Sequence, residues 1–415
     1  MKPWILALFS RDNLRRDLRD TLLVAGAFSA FLYLEHFGLR WELFNTLAGL
    51  AAVWGLLRLG RRAILLAGFF IGLFWFYWVG FSFRYYDLTW MVPFVSLAFA
   101  TGYMLIFGIL ALTRNPFLRG LLLFGIGYFE PFDFNWMQPA LPFLHSYLGT
   151  APWQFALVLA ALALFVFLER FEDRRRYLAL LPLLGALNFL PAPAEPLPPL
   201  KIKLVAAELP QAQKWLPANR FRIVRDNLRA IDAAAQEGYD LVILPEAAFP
   251  LFLNKEPDLL ATLRERSRNI AIVAGALLYE EGHNYNVTYR FDGGELRVAR
   301  KMVLVPFGEY IPLPGFLHRI VNDIFFNGAS DYVGADAPTD LTIRGVRFRN
   351  AICYEATCPE LFEDAPPYMI AISNNAWFTP SIEPTLQRLL MEYYARKHGT
   401  IVFHAANMAG SGVIR

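Results

Sequence analysis

The sequence predicts a multi-span α-helical membrane domain followed by an α/β layered domain. Three observations carry this. The 415 residues are 56% hydrophobic and only 18% charged, whereas an ordinary soluble domain is nearer half apolar and a quarter charged. Nearly all the long apolar runs fall in residues 1–195, and from Lys201 onward apolar β-rich runs alternate with amphipathic helical ones. Between the halves lies "LPAPAEPLPPLK", residues 190–201, a proline-rich stretch that cannot continue a helix and reads as a short stiff linker. Domains are therefore expected at 1–195 and 196–415.

A spanning helix needs roughly 20 mostly apolar residues. Candidate spans are 20–38, 43–58, 63–83, 90–112, 118–130, 153–169 and 177–193, about seven, with the fifth short. Loop charge orients them. Lys and Arg number fourteen in the amino-terminal segment and alternate loops, against Arg40 and Arg84 in the opposite set. This bias puts the N-terminus in the cytoplasm and, with seven spans, everything after Lys201 outside. The aromatic stretches "FWFYWVGFSFRYY" and "FEPFDFNW" read as an interfacial belt or as a lipid-facing rim around a site. Intramembrane charges are too scarce for an ion pathway. The first apolar run starts only after Arg19 and lacks a cleavage pattern, so no cleavable leader is expected. A net charge of +3 without a basic-aromatic stripe argues against nucleic acid.

In the second half, "IKLVAAEL", "DLVILPEA", "IAIVAGALL", "YMIAISNNAW" and "TIVFHAAN" read as strands. "NRFRIVRDNLRAIDAAAQEG", "DLLATLRERSRN" and "EPTLQRLLMEYYARKHG" read as helices. "NVTYRFDGGELRVARK" is a hairpin around Asp292–Gly294, and "LTIRGVRFRNAICYE" is one turned at Arg344–Gly345. Three reactive residues stand where strands end: Glu246 after "LVILP", Lys301 after "GELRVAR", and Cys353 after "VRFRNAI". Ligands of α/β sheets bind outside the carboxyl ends of strands. A carboxylate there can take the thiol proton, the thiolate can attack a carbonyl, and the ammonium can support the oxyanion. A neighbouring lysine would also lower the thiol pKa. Each residue alone is weak: a glutamate after a strand is usually a solvated cap, and a lone lysine is usually surface.

Four segments, "LPEAAFP", "KMVLVPFGEYIPLP", "AICYEATCPELF" and "ISNNAWFTPS", resemble the nitrilase (carbon–nitrogen hydrolase) superfamily. With the multi-span region before them, they resemble its membrane branch, the apolipoprotein N-acyltransferase family, over essentially the whole chain. The resemblance implies an αββα sandwich and a triad of Glu246, Lys301 and Cys353. Glu309 of "PFGEY" and Glu355 of "CYE" match two supporting glutamates, and Asn286 and Pro312 stand at further motif positions. It implies a ping-pong transfer. A phospholipid acyl donor loads the cysteine as a thioester, and a diacylated lipoprotein acceptor takes the chain on its α-amino group. No metal or soluble cofactor is implied. The expected setting is a monomer in the bacterial inner membrane with a periplasmic catalytic domain.

The match has departures. Ala206, Ala207 and Glu208 replace a usual Gln-Gly-Asn run, and His404 stands where an arginine is common. The family usually continues past the position of Arg415 with a hairpin and a last helix, so the domain is expected to be C-terminally short. The greasy loop "YIPLPGFLHRIVNDIFFN", 310–327, reads as a buried loop or as a membrane-dipping lid. The two cysteines, Cys353 and Cys358, could form a structural disulfide in an oxidising compartment. Five residues apart on a strand they face opposite sides, so Cys353 is read as the nucleophile and Cys358 as buried filler. Two other functions stay open: a membrane-anchored amidase that hydrolyses its thioester, and an inactive scaffold homologue.

Overall fold

A computed structural model describes residues 11–171, 174–188, 196–306, 308–311, 314, 316 and 332–415. Two compact units emerge, one of Met1–Phe83, Thr89–Pro131 and Asn135–Pro191, the other of Arg84–Leu88, Phe132–Phe134 and Ala192–Arg415.

The first unit is helical: α1 (Arg11–His36), α2 (Glu42–Arg58), α3 (Arg61–Phe76), α4 (Val92–Gly108), α5 (Pro116–Ile126), α6 (Pro152–Leu168) and α7 (Pro182–Gly185). Helical turns extend α4 to Thr89–Leu112, which is 24 residues long and apolar enough to cross a membrane. The apolar run of α3 continues through a 3-10 segment, Val79–Tyr86, bent from it by 51°. α3 and α4 pack closely because Gly68 has no side chain. A Cβ there would lie 2.7 Å from both the Phe107 Cβ and the Tyr103 carbonyl, the kind of small-residue contact that joins membrane helices.

Two of the expected spans differ. The one at 118–130 is α5, only 11 residues; at 1.5 Å per residue it covers about 16 Å, half a bilayer core. Asn115 starts it by accepting from the backbone of Phe117 and Leu118, with Pro116 at the first position. The one at 177–193 is not a long helix. Through residue 188 it is a 3-10 segment, Arg174–Leu180, and the four-residue α7; Pro182 interrupts the hydrogen-bond ladder, and 189–195 lie outside the described residues. Arg119 is also not the loop cation that the charge count supposes. It is buried, and its guanidinium donates to the carbonyls of Leu57, Leu59, Leu110 and Thr113. It satisfies helix-end acceptors that would otherwise be orphaned.

The second unit is a two-sheet sandwich faced by helices. Its strands are β1 (Ile202–Leu204), β2 (Leu241–Ile243), β3 (Phe249–Phe252), β4 (Ala271–Glu280), β5 (His283–Asp292), β6 (Glu295–Arg300), β7 (Asp340–Ile343), β8 (Val346–Ile352), β9 (Tyr368–Asn374), β10 (Ile401–Asn407) and β11 (Gly412–Ile414). One sheet runs β1-β2-β4-β5-β6 with β3 beside β4; the other runs β11-β10-β9-β8-β7. The helices are α8 (Gln211–Lys214), α9 (Pro217–Gln236), α10 (Pro257–Arg266) and α11 (Glu383–His398).

Side-chain alternation makes the layers. Leu241, Ile243, Ala271 and Val273 face Ile352, Ile370, Ile372 and Phe403 of the other sheet. Val242, Leu244, Ile272 and Ala274 turn the other way, onto Ile231 and Ala234 of α9 and Leu263 of α10. Both expected hairpins form, β5–β6 and β7–β8. Their turns put Gly293 and Gly294, and Arg344 and Gly345, at positive φ, as two-residue hairpin turns require. β3 and β11 had no sequence signal, being short and irregularly patterned. The loop 310–327 lies almost wholly outside the described residues, as do Pro312 and the first half of the 190–201 linker.

Gly275 of β4 is where the backbone carrying Glu246 comes closest. A Cβ would stand 2.7 Å from the Glu246 Cα, 2.6 Å from the Ala247 nitrogen and 2.9 Å from the Pro245 carbonyl. Gly275→Ala is therefore expected to cost about 1–3 kcal/mol, the scale of an overpacked core, and to displace Glu246. A thermal melt in detergent beside an activity assay checks this; wild-type values in both would contradict it.

Candidate active site

Cys353 follows the last residue of β8 and opens a 3-10 turn, Cys353–Thr357. Its φ is 57°, the left-handed region that a side-chain-bearing residue enters at a cost of about 1–3 kcal/mol. Glu355 holds this turn. One of its oxygens accepts from the Ile352 nitrogen at 2.7 Å, the other from Met302 at 2.5 Å and Val303 at 3.0 Å. It thereby ties the turn of Cys353 to the segment just past Lys301. Burial pushes the Glu355 carboxyl up to about 7, against the pull of Lys301 and the three N–H donors.

Lys301 follows β6 and is fully buried. Its ammonium lies 2.6 Å from Glu309 Oε2, which also accepts from the Val305 nitrogen at 2.9 Å. Burial alone would lower the ammonium's pKa; Glu309 first, then Cys353, Glu246 and Glu355, outweigh it and hold it above the ordinary lysine value. Asn286 of β5 bridges the carboxylates, donating at 2.7 Å to Glu246 and 3.0 Å to Glu309. The six residues expected from sequence thus converge on one site.

The thiol differs from expectation. Lys301 does pull its pKa down, but burial above all, with Glu246, Glu383 and Glu309, drives it well above the ordinary cysteine value. The resting sulfur is a thiol that needs a base. Cys353 and Cys358 are both free. Cys358 is buried and directs its sulfur to the Tyr354 carbonyl at 3.5 Å.

Four residues of the site had no signal of their own. Lys214, at the end of α8, is buried and donates to the Glu246 carbonyl at 2.8 Å. Burial brings it down to about 8, with Glu246 and Cys353 opposing. Its loop is held because Asn374 donates to Gln211 at 2.8 Å, and Asn407 donates to Asn374 at 2.8 Å and to the Leu209 carbonyl at 2.7 Å. Gln387 of α11 is fully buried, with its amide nitrogen 4.0 Å from Cys353 Sγ. Asn375 donates to the Gln387 oxygen at 3.1 Å and to the Ala409 carbonyl at 2.9 Å. That fixes which end of the Gln387 amide faces the sulfur. Glu383 stands one helical turn before Gln387 and is also buried. Polar positions on a helix read as solvent-facing from sequence alone. His404 is structural, neutral and buried, paired with Ser373 Oγ at 2.8 Å and the Gly410 carbonyl at 2.9 Å, its pKa lowered by burial to about 4.

A strand-end cysteine with buried glutamate and lysine on an αββα sandwich defines the carbon–nitrogen hydrolase class, and the Carbon-nitrogen hydrolase profile matches residues 210–414. The profile of the Apolipoprotein N-acyltransferase integral membrane domain matches 15–189. The chain is 45% identical to the apolipoprotein N-acyltransferase of Wolinella succinogenes, over 99% of this chain and 98% of that one. It is 36% identical to the enzymes of that name from Helicobacter hepaticus, over 89% and 93%, and Helicobacter pylori, over 86% and 84%. The chain belongs to the apolipoprotein N-acyltransferase family, a family of integral membrane acyltransferases.

Gln387 is the hydrogen-bond donor on the sulfur among the described residues. Such contacts are long in a resting site and tighten as charge develops. Gln387→Met keeps the length and removes the donor. It is expected to slow alkylation of Cys353 about tenfold at a fixed pH below the thiol pKa, the scale of one hydrogen bond to a charged group. Alkylation rates against pH, assigned by peptide mass, check this; an unchanged profile would contradict it.

Proposed function

We propose that this protein moves a fatty acyl chain from a membrane phospholipid, through a thioester on Cys353, to the N-terminal amine of a diacylglyceryl-cysteine lipoprotein. The observation that carries the reading is the buried strand-end cluster in which Lys301 pairs with Glu309 at 2.6 Å, Asn286 bridges Glu309 and Glu246, and Glu355 ties the turn of Cys353 to the segment just past Lys301. Family membership supplies the substrates. Glu246 takes the thiol proton as sulfur attacks the ester carbonyl. The lysophospholipid oxygen leaves with that proton, and Glu246 returns to carboxylate. In the second half the neutral amine attacks the thioester and gives a proton to Glu246, which returns it to the departing sulfur. Lys301, held by Glu309, faces the negative charge that develops at the carbonyl oxygen. No step calls for a metal or soluble cofactor, and one chain holds every group named.

We place the protein in the inner membrane as a multi-pass protein with its hydrolase domain on the periplasmic face. The charge bias puts the N-terminus in the cytoplasm, and the segment 174–188 does not support odd span parity, so the periplasmic placement rests on the acyl-transfer reading itself. Both substrates named above also meet on that side.

Cys353→Ala is expected to abolish acyl-enzyme and transfer, while Cys358→Ala leaves both nearly intact; intact-protein mass after incubation with phospholipid reads this directly. Glu246→Gln should slow single-turnover thioester formation by roughly two or more orders of magnitude, the usual scale of general-base catalysis. Lys301→Arg should also fail, since a planar fork cannot replace a compact ammonium held by one carboxylate. Normal acylation in Glu246→Gln would move the base to another carboxylate.

For topology, a reporter fused after Gly60 should be cytoplasmic and one after Lys201 periplasmic. Finding both on one side would reverse the placement of the hydrolase domain.

A further inference from the structure

Glu383 is a buried acid for which the reaction above has no use. It is 2% exposed, and its Oε2 has no hydrogen-bond partner among the described residues. Every other carboxylate of the site is engaged. Glu246 and Glu309 share Asn286, Glu309 holds Lys301, and Glu355 takes three backbone N–H groups. Glu383 opens α11 four residues before Gln387, so the two side chains share a helix face. Gln387 reaches the sulfur. Glu383 is near enough to Cys353 and Glu246 for ionisation of its carboxyl to be felt at both. A carboxyl on the helix face that reaches the sulfur is therefore left with bonding capacity unspent, alongside the unpartnered amide oxygens of Asn286 and Asn375, and it is the carboxylate of the site whose free oxygen is fully buried.

The free site explains why this acid stays protonated. Burial above all, and then the Glu246 carboxylate, push Glu383 well above the usual carboxylic range.

What the site lacks is a means of handling the second substrate's charge. The first half-reaction closes its own proton cycle: thiol to Glu246, Glu246 to the leaving oxygen. The acceptor is different. An α-amino group has a pKa of about 8, so much of it arrives as ammonium, carrying one positive charge too many and one proton too many to attack. We propose that Glu383 is the subsite for the acceptor's α-amino group, binding it beside the thioester as a carboxylic acid–amine pair. Resting on the acyl-transfer reading, this adds the residue that receives the second substrate. On binding, the neutral acid and the ammonium together release one proton to solvent. The remaining proton is shared between carboxyl and nitrogen, and its position on the carboxyl leaves a neutral amine with a free electron pair. The amine then forms the C–N bond, the C–S bond breaks, and Glu246 carries the second amine proton to sulfur.

The test separates the half-reactions in full-length enzyme in phospholipid–detergent micelles. Thioester on Cys353 is measured by intact-protein mass, and transfer is measured by chasing the loaded enzyme with a synthetic diacylglyceryl-cysteinyl peptide. Glu383→Gln is expected to load within about twofold of wild type. Its transfer should be at least tenfold slower, with the pH optimum of transfer moved up, because the amine must then arrive already neutral. Glu383→Asp, which retains the acid, should recover part of the transfer rate. Normal loading with wild-type transfer and pH profile in Glu383→Gln would overturn the inference and leave the acyl-transfer reading intact. Loss of loading in both variants at an unchanged melting temperature would assign Glu383 to the first half-reaction and overturn it too. A wild-type enzyme that never forms the thioester would refute the underlying reading.

Discussion

The ammonium of Lys301 is the constraint on which the site depends. It is fully buried, and taking such a charge out of water costs several kcal/mol unless partners meet it in good geometry. Glu309 meets it at 2.6 Å, and Glu309 is itself fixed by the Val305 nitrogen and the Asn286 amide. Asn286 sits in β5, its carbonyl accepting from the Lys301 nitrogen at 3.0 Å. The same residue therefore sets the backbone of the lysine and aims the carboxylate that neutralises it. Removing either charge leaves the other uncompensated, a loss of about 3–5 kcal/mol. The pair is thus under strong structural constraint as well as chemical constraint.

Two sheets supply the reacting groups, and one carboxylate joins them. Glu246, Asn286 and Lys301 belong to the sheet of β2, β5 and β6; Cys353 belongs to the sheet of β8, with Asn375 just past β9. Face-to-face packing alone positions strands only through apolar side chains, which tolerate sliding. Glu355 removes that freedom by holding Ile352 of one sheet and Met302 and Val303 of the other. Its raised pKa, about 7, follows from doing this in a buried place. The three N–H donors favour its charged form, but they do not fully offset the lost water.

How much of this the sequence revealed depended on whether local pattern or tertiary burial decides a residue's role. Strand alternation, glycine turns and reactive residues at strand ends are local, so both hairpins and the strand-end positions of Glu246, Lys301 and Cys353 were legible, whereas Glu309, Glu355 and Asn286 were suggested only by the family resemblance. Glu383 and Gln387 were not. In "EPTLQRLLMEYYARKHG" polar residues of their class mark a solvent face, and only the packing of α11 shows that they are inside. The membrane half shows the same limit. An apolar run was legible as buried or lipid-facing, but Pro182 turned one into a short broken segment. Arg119, counted as a loop cation, proved to be spent on four carbonyls.

The raised pKa of the thiol has a consequence for both halves of the reaction. A thiolate of high pKa is the stronger nucleophile once formed, but it forms less readily and leaves less readily. An enzyme that lowered this pKa through lysine alone would hold a standing thiolate, open to oxidation and slow to attack an unactivated ester. Here burial and the surrounding carboxylates keep the proton on sulfur. In the proposed mechanism, charge appears on sulfur only when Glu246 removes the proton during attack, and the exit of sulfur likewise waits for Glu246 to return it. The lysine, held by Glu309, is left to act on the substrate's oxygen, and Gln387 faces the sulfur with a neutral donor. In that mechanism nucleophile, base and cation have separate tasks, because Glu309 meets the buried ammonium at 2.6 Å and keeps it from becoming the thiolate's partner.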